Sequence, residues 1–344
     1  MMRILIDNTV LQLAKRYANV MQGKKEKSDD PDEVNWRKSS MPKQRLEDLK
    51  TFLGDNGYDT QAEYVGKIID KYETILLLTP DKFEEFHRNN FAGYTDADLD
   101  KQIELSDEKK PKFHELLVDR MRYNDIRSNL FRKYMKWLNI KTCVYCNAQY
   151  AVTTDEFTEI NERGQAEIKR IGTYQLDHFY PKSKYPYLCT SFFNLQPSCA
   201  TCNGTKNDRD SHFYLYTAHE ADQNVFTFKI TPNKPILDIN AVDMESIEIT
   251  LDCVDRALLE EHQKLFHIDL IYAHHVDVVE EIIVKLHTYS TDYLETLTEG
   301  LGRLFPMRPE SPERFFFGYY MDPDKIHYRP HSKLVQDTVA QYRS

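Results

Sequence analysis

Two short cysteine pairs constrain this chain more than any other feature: Cys143-Val144-Tyr145-Cys146 and Cys199-Ala200-Thr201-Cys202. A C-x-x-C pair forms a knuckle that aims two thiolates at one ion. Two knuckles complete a tetrahedral four-sulfur site with no open position, the arrangement of structural zinc. Residues 147–198 separate the pairs, more chain than a simple zinc ribbon uses, so a hairpin and a loop can sit inside the metal-tied segment. The other two of the six cysteines, Cys189 and Cys253, have no C-x-x-C partner and are expected to be ordinary core thiols. In a cytosolic chain this spacing points to metal rather than to disulfides.

The 344 residues suffice for two or three packed units, and the 41% hydrophobic content supports real cores. No apolar run approaches the ~20 residues that span a bilayer, which excludes a membrane protein. The opening residues, MMRILIDNTVLQLAKRY, lack the pattern of a secretory leader, so a cytoplasmic protein is expected. The net charge of −10 argues against a protein that coats nucleic acid non-specifically, since that needs clustered Lys and Arg. It leaves room for one that needs only a local basic face and a cation.

Periodicity predicts an α+β chain in three stretches. Residues 1–140 are mostly helical, with helical patterns at 3–20, 44–54, 60–77, 80–88 and 111–140 and a polar loop at 22–44. The polar side of 111–140 carries Arg120, Arg122, Arg127, Arg132, Lys133 and Lys136, which serve either as a solvated face or as a DNA-backbone contact. Residues 141–215 form the cysteine-tied module. Strand patterns at 148–157 and 166–176 flank a hairpin turn at Asn161-Glu162-Arg163-Gly164, and 194–210 runs from a short strand into a helix. Residues 216–344 begin with strands at 225–230 and 246–251, continue as helix over 254–300, and end in a helix over 332–342.

The chemistry lies between the knuckles. Leu176-Asp177-His178-Phe179-Tyr180-Pro181 reads as the end of a strand, Asn194-Leu195 follows, and Cys202-Asn203-Gly204-Thr205-Lys206 opens a helix. Hydrolysis of a phosphodiester needs a base for water, a cation to offset charge on the phosphate and leaving oxygen, and ligands for that cation. His178 suits the base, with an ordinary pKa near ~6.5. Asp177 and the Asn203 amide oxygen are hard donors that suit Mg²⁺ or Mn²⁺, with Asn207 a second candidate ligand. Neighbours on a strand point to opposite sides, so one of Asp177 and His178 can face the ion while the other reaches the water. Lys182 and Lys184, in the loop after His178, either touch DNA backbone or stay solvated. His212, His274 and His275 are expected at the surface or in packing.

The run LDHFYP…NLQPSC-x-x-CN-x-x-K, over residues 143–210, resembles the HNH (ββα-metal) endonuclease motif in its zinc-bearing form. The resemblance implies a ββα-metal module with zinc-bound knuckles, embedded in mostly helical N- and C-terminal regions. It implies that Cys143, Cys146, Cys199 and Cys202 hold a structural Zn²⁺ and that His178 is the general base. It also implies that Asp177 with Asn203 holds a catalytic Mg²⁺ or Mn²⁺. Asn194 would brace the catalytic loop and Lys206 would sit near the phosphate. The third motif position is Asn203 rather than His, a variant that favours a single Mg²⁺-type site. The wider chain, with its helical N-terminal region and helical tail, is similar to the HNH nuclease subunits of bacterial anti-phage systems of the Septu and retron-associated types, which act with an ATPase; the departure is the length of the N-terminal region, about 140 residues that match no named family. A metal-dependent endonuclease acting on double-stranded DNA in defence or restriction is therefore expected. A partner-gated nuclease acting on RNA stays open, as does a non-catalytic zinc-bound interaction module, although a scaffold has no need of Asp177, His178 and Asn203 together.

Overall fold

The computed structural model describes residues 2–24, 41–105, 109–152, 157–169, 172–231, 247–304 and 311–343. Most of the expected 22–44 loop, and parts of the strands expected at 148–157 and 166–176, lie outside them. Among the described residues helix predominates and the strands form separate two-stranded pairs, so the class is α+β.

The chain opens with strand β1 (Ile4–Leu5) and helix α1 (Asn8–Met21). Asp7 caps α1 by accepting the Val10 N–H at 2.8 Å. The helix expected from residue 3 thus begins at Asn8, because Ile4 and Leu5 instead pair in parallel with Tyr216 and Thr217. Helices α2 (Pro42–Asp55) and α3 (Asp59–Asp70) pack on each other, and α4 (Tyr72–Leu76), α5 (Phe83–Asn90), α6 (Asp96–Leu99) and α7 (Phe113–Arg120) follow.

The long helix expected over 111–140 is broken. Arg122 takes the left-handed conformation at φ 61°, then α8 (Tyr123–Asp125) passes through a π-helical stretch at Ile126–Leu130 into α9 (Phe131–Trp137). The break turns Tyr123 inward, where its hydroxyl donates to the Leu176 carbonyl at 2.8 Å.

Strands β2 (Phe157–Ile160) and β3 (Ala166–Lys169) form a hairpin about the expected turn, but residues 148–152 of the first expected strand hold only an isolated bridge between Tyr150 and Thr142. The Asn161 side-chain oxygen accepts the Arg163 and Gln165 N–H groups, and Gly164 supplies the positive φ of 75° that the turn requires. Strand β4 (Gln175–His178) then pairs antiparallel with β5 (Leu195–Ser198), and α10 (Ala200–Lys206) follows β5 at once and packs on β4. After β6 (Tyr216–Thr217) come β7 (Thr227–Thr231) and β8 (Glu248–Asp252), an antiparallel pair. The rest is helical: α11 (Arg256–Phe266), α12 (Ile268–Tyr272), α13 (Val276–Thr288), α14 (Thr291–Leu304), α15 (Ser311–Phe317) and α16 (Ser332–Tyr342). Helix α16 covers the open edge of β7: Asp337 accepts the Phe228 N–H at 2.7 Å, and the Gln341 amide bonds both the N–H and the carbonyl of Ile230.

One continuous buried cluster joins the N-terminal helices to the cysteine-tied segment and to α11 and α12. Tyr17, Phe131 and Tyr134 close around Phe192, and the Tyr17 hydroxyl donates to the Thr190 carbonyl at 2.8 Å. The loop between β4 and β5 is thus anchored by aromatic packing.

Candidate functional site

The four C-x-x-C cysteines come together. The sulfurs of Cys143, Cys146, Cys199 and Cys202 all lie within 4.8 Å of one another, and all four residues are buried. Each knuckle aims a backbone N–H at a sulfur: Ala148 at Cys146 and Cys202 at Cys199, both at 3.4 Å. All four thiols are free of disulfides. Thiols packed so closely set one another's ionisation: hydrogen bonding with Cys143, Cys146 and Cys202 drives Cys199 down, and bonding with Cys143, Cys146 and Cys199 drives Cys202 up. Four buried soft donors converging on one point suit zinc, and a dication offsets the charge that several thiolates would otherwise leave buried.

The C-terminal helices hold the first knuckle in place. Asn147, buried and left-handed at φ 52°, donates from its side chain to Thr142 Oγ1 and to the Ile326 carbonyl, each at 3.0 Å, and accepts the Lys333 N–H at 3.1 Å. The His262 Nε2 meets the Tyr145 carbonyl at 2.9 Å, and the Tyr272 hydroxyl donates to the Cys146 carbonyl at 2.8 Å. Every one of these contacts satisfies a backbone or amide group that the tight knuckle cannot satisfy internally.

Asp177 and His178 end β4, both buried. Asp177 Oδ2 accepts the hydroxyl of Tyr145, a residue inside the first knuckle, and lies 3.2 Å from the ammonium of Lys206 on α10. The Tyr145 hydroxyl in turn accepts from Gln196 on β5 at 3.0 Å. The Tyr145 and Lys206 contacts both fall on Oδ2, which leaves Oδ1 as the oxygen available to a cation. The His178 Nε2 is 3.0 Å from the Cys189 carbonyl. A carbonyl only accepts, so Nε2 carries the proton and Nδ1 keeps its lone pair. Burial, helped by the charges of Lys182 and Lys206, pushes the His178 pKa down to about 3, so the ring is neutral near pH 7. The Tyr123 ring fixes it from one side at a centroid distance of 4.7 Å.

Asn194 ties the loop after His178. Its side chain accepts the Tyr180 N–H at 2.8 Å and donates to the carbonyls of Tyr180 and Leu188 at 3.1 and 3.0 Å. Asn203 lies half-buried on α10, one helical turn before Lys206, and hydrogen-bonds the Gln175 side chain rather than Asp177. Gln175 and Asp177 share a face of β4, so α10 lays Asn203 and Lys206 along that face.

Lys206 is not placed as expected for a phosphate contact. It is fully buried, and its ammonium donates to the His178 carbonyl at 2.7 Å besides pairing with Asp177. Asn207, just past α10, has left the helix face at φ 47° and ψ −131°. Lys182 lies over the Tyr123 ring at 5.3 Å, and Lys184 pairs with Asp210 at 2.8 Å. Cys189 and Cys253 are buried, His212 and His274 are exposed, and His275 packs against His331.

The chain is 36% identical over 69 residues to the Septu protein PtuB of Bacillus thuringiensis. That stretch is 20% of this chain, and the chain spans about a fifth of that relative's length. No protein-family model matches the chain, and no solved structure does. Partial homology to a Septu defence protein is thus the common ground with known proteins, and the cysteine cluster is a feature of this structure itself. No helix among the described residues is long and apolar enough to cross a membrane.

Sequence reasoning missed Tyr145, Gln196 and Asn147. Tyr145 lies between the two cysteines of its knuckle, and nothing local reveals that its hydroxyl reaches Asp177. Asn147 did carry a signal: a residue directly after a C-x-x-C turn that favours the left-handed conformation.

Proposed function

We propose that this protein is a metal-dependent endonuclease of the HNH type that hydrolyses phosphodiester bonds of double-stranded DNA, and that it serves in bacterial anti-phage defence. The observation that carries this reading is the pairing of Asp177 and His178 at the end of β4, held between the cysteine cluster and α10. A scaffold built on the cysteines alone would leave no reason for a buried carboxylate with one oxygen unspent beside an imidazole with a free lone pair.

In this reading Cys143, Cys146, Cys199 and Cys202 hold a structural Zn²⁺. Asp177, through Oδ1, and the Asn203 side chain, released from Gln175, would hold one Mg²⁺ or Mn²⁺. Their oxygen donors fit such an ion, which supplies positive charge to the phosphate and the leaving oxygen. His178 Nδ1 takes the proton from the attacking water while Nε2 stays on the Cys189 carbonyl, which fixes the ring and its tautomer; because burial holds its pKa at about 3 in the free protein, the step relies on the negative charge of the bound phosphate to favour the imidazolium. Lys206 and Tyr145 orient Asp177, Lys206 also holds the His178 backbone, and Asn194 keeps the following loop in shape. Arg127 and Lys136 are exposed and would each offer positive charge to DNA backbone on an otherwise acidic protein. The partial homology to the Septu protein PtuB supports the defence role, and the ATPase subunit as partner rests on the resemblance read in the sequence.

The test is plasmid cleavage by the purified, zinc-loaded protein with Mg²⁺ or Mn²⁺, alone and with the ATPase partner. Cleavage that EDTA abolishes and added Mn²⁺ restores is expected. Absence of cleavage under both conditions would overturn the nuclease reading.

A further inference from the structure

A cleft of about 440 Å³ opens where the loop after His178 meets α5. Its size lies within the roughly 300–1,000 Å³ of small-ligand sites. Its walls are aromatic: Tyr180 and Tyr185 on the loop, and His87 on α5, all half-exposed. Tyr180 is two residues past His178. At about 3.8 Å per Cα step, their Cα atoms are at most about 7.6 Å apart.

The rings are tilted against one another instead of closing the space. Tyr180 and Tyr185 meet at 4.6 Å and 54°, and His87 and Tyr185 at 5.1 Å and 73°. Behind them the wall is layered and rigid. His87 lies within 10° of parallel to the buried Tyr187, which is itself within 10° of parallel to Phe91 at 4.1 Å. The Tyr187 hydroxyl also meets His87 Nδ1 at 3.3 Å. Asn194 clamps Tyr180 through both its N–H and its carbonyl, so this wall is fixed with respect to His178. Burial keeps the His87 pKa below its ordinary value, which leaves an uncharged stacking surface at neutral pH.

The rim discriminates among ligands. Glu84 and Asp210 stand beside Arg88 and His212, and Lys184 already meets Asp210 at 2.8 Å. A rim of mixed sign offers no net field to hold a phosphate. A flat, neutral ring with donors and acceptors at its edge finds faces to stack on and polar groups to meet.

We propose that this cleft binds a single nucleobase unstacked from the substrate strand, next to the nucleotide whose phosphate is cut. The proposal rests on the nuclease reading and narrows it to substrates that present an unpaired or extruded base near the cleavage point. The strand is gripped by stacking, without reference to sequence.

The test uses full-length, zinc-loaded protein with no other divalent cation, so that binding is read without cleavage. The probe is a single-stranded DNA oligonucleotide with one 2-aminopurine, compared with the same strand carrying an abasic site there and with its duplex. Quenching of the 2-aminopurine on binding is expected, with weaker binding of the abasic strand. Tyr185→Ala, and independently His87→Ala, should weaken binding roughly 5- to 150-fold, while Tyr185→Phe retains it. Equal affinity for the abasic strand, unchanged affinity in both alanine variants of normal zinc content, or no binding of any strand would overturn the proposal. Plasmid cleavage separates the two claims. Cleavage without base-dependent binding removes the cleft and keeps the nuclease, whereas base-dependent quenching without cleavage removes the nuclease and keeps the cleft.

Discussion

Replacing Lys206 by methionine removes the ammonium and keeps the length of an apolar side chain. In the folded protein that ammonium is fully buried, 3.2 Å from Asp177 Oδ2 and 2.7 Å from the His178 carbonyl. The Asp177 side chain is 8% exposed, so the carboxylate cannot recover in water what it loses. Removing one member of a buried ion pair costs ~3–5 kcal/mol, mostly because the other charge is left unmet. The Tyr145 hydroxyl remains on Oδ2, which places Lys206→Met near the lower end, about 3 kcal/mol. Urea unfolding of the zinc-loaded protein measures this, with Asp177→Asn and the double variant completing the cycle. Asparagine leaves no charge for Lys206 to meet, so the two changes should couple by roughly 2–3 kcal/mol. A cost under about 1 kcal/mol with additive behaviour would show that the ammonium is solvated and free for phosphate, contrary to the structure.

Three further outcomes follow from the same geometry. Cys143→Ser should lose zinc and unfold the segment between the knuckles, because a structural site of this kind supplies folding free energy; unchanged zinc content and melting would contradict it. Tyr145→Phe should keep its zinc and weaken Mn²⁺ binding, measured by electron paramagnetic resonance, by roughly 10- to 100-fold, since Asp177 loses the partner that orients it; unaltered binding would remove Tyr145 from that role. Acid should destabilise the fold through His262 and His327, both buried with pKa values pushed down to about 3. Above ~6.5 neither the folded nor the unfolded chain protonates them; between there and pH 3 only the unfolded chain does, so stability falls by ~1.4 kcal/mol per pH unit for each. His262→Gln should flatten that slope in unfolding experiments, and an unchanged slope would show that His262 titrates normally in the fold.

The sequence exposed those parts of the site whose chemistry is local. The C-x-x-C spacing announced the cysteine cluster because two residues are what a knuckle needs. The β2–β3 turn was readable from Asn161 and Gly164, and α16 from an apolar period that tertiary contacts left intact. What stayed hidden depends on distant partners. Residues 4–5 form a strand only because residues 216–217 pair with them. The break at Arg122 has no proline or glycine to announce it. It is set by Tyr123 reaching Leu176 and by the Arg122 guanidinium bonding Asp125 at 3.0 Å. Lys206 looks like a phosphate ligand in a linear motif, whereas α10 packed on β4 turns it inward. His262 and Tyr272 could not be tied to the knuckle before the fold brought them within hydrogen-bonding distance of its carbonyls.

The central claim is that His178 acts as the base on a water aligned by this site. The most direct measurement is single-turnover cleavage of a supercoiled plasmid in Mn²⁺ by the wild-type protein and His178→Ala, both matched for zinc content and melting. A fall in rate of at least roughly 100-fold in the variant is predicted, the contribution of a positioned general base. Near-normal cleavage by a folded, zinc-loaded His178→Ala protein would contradict the account.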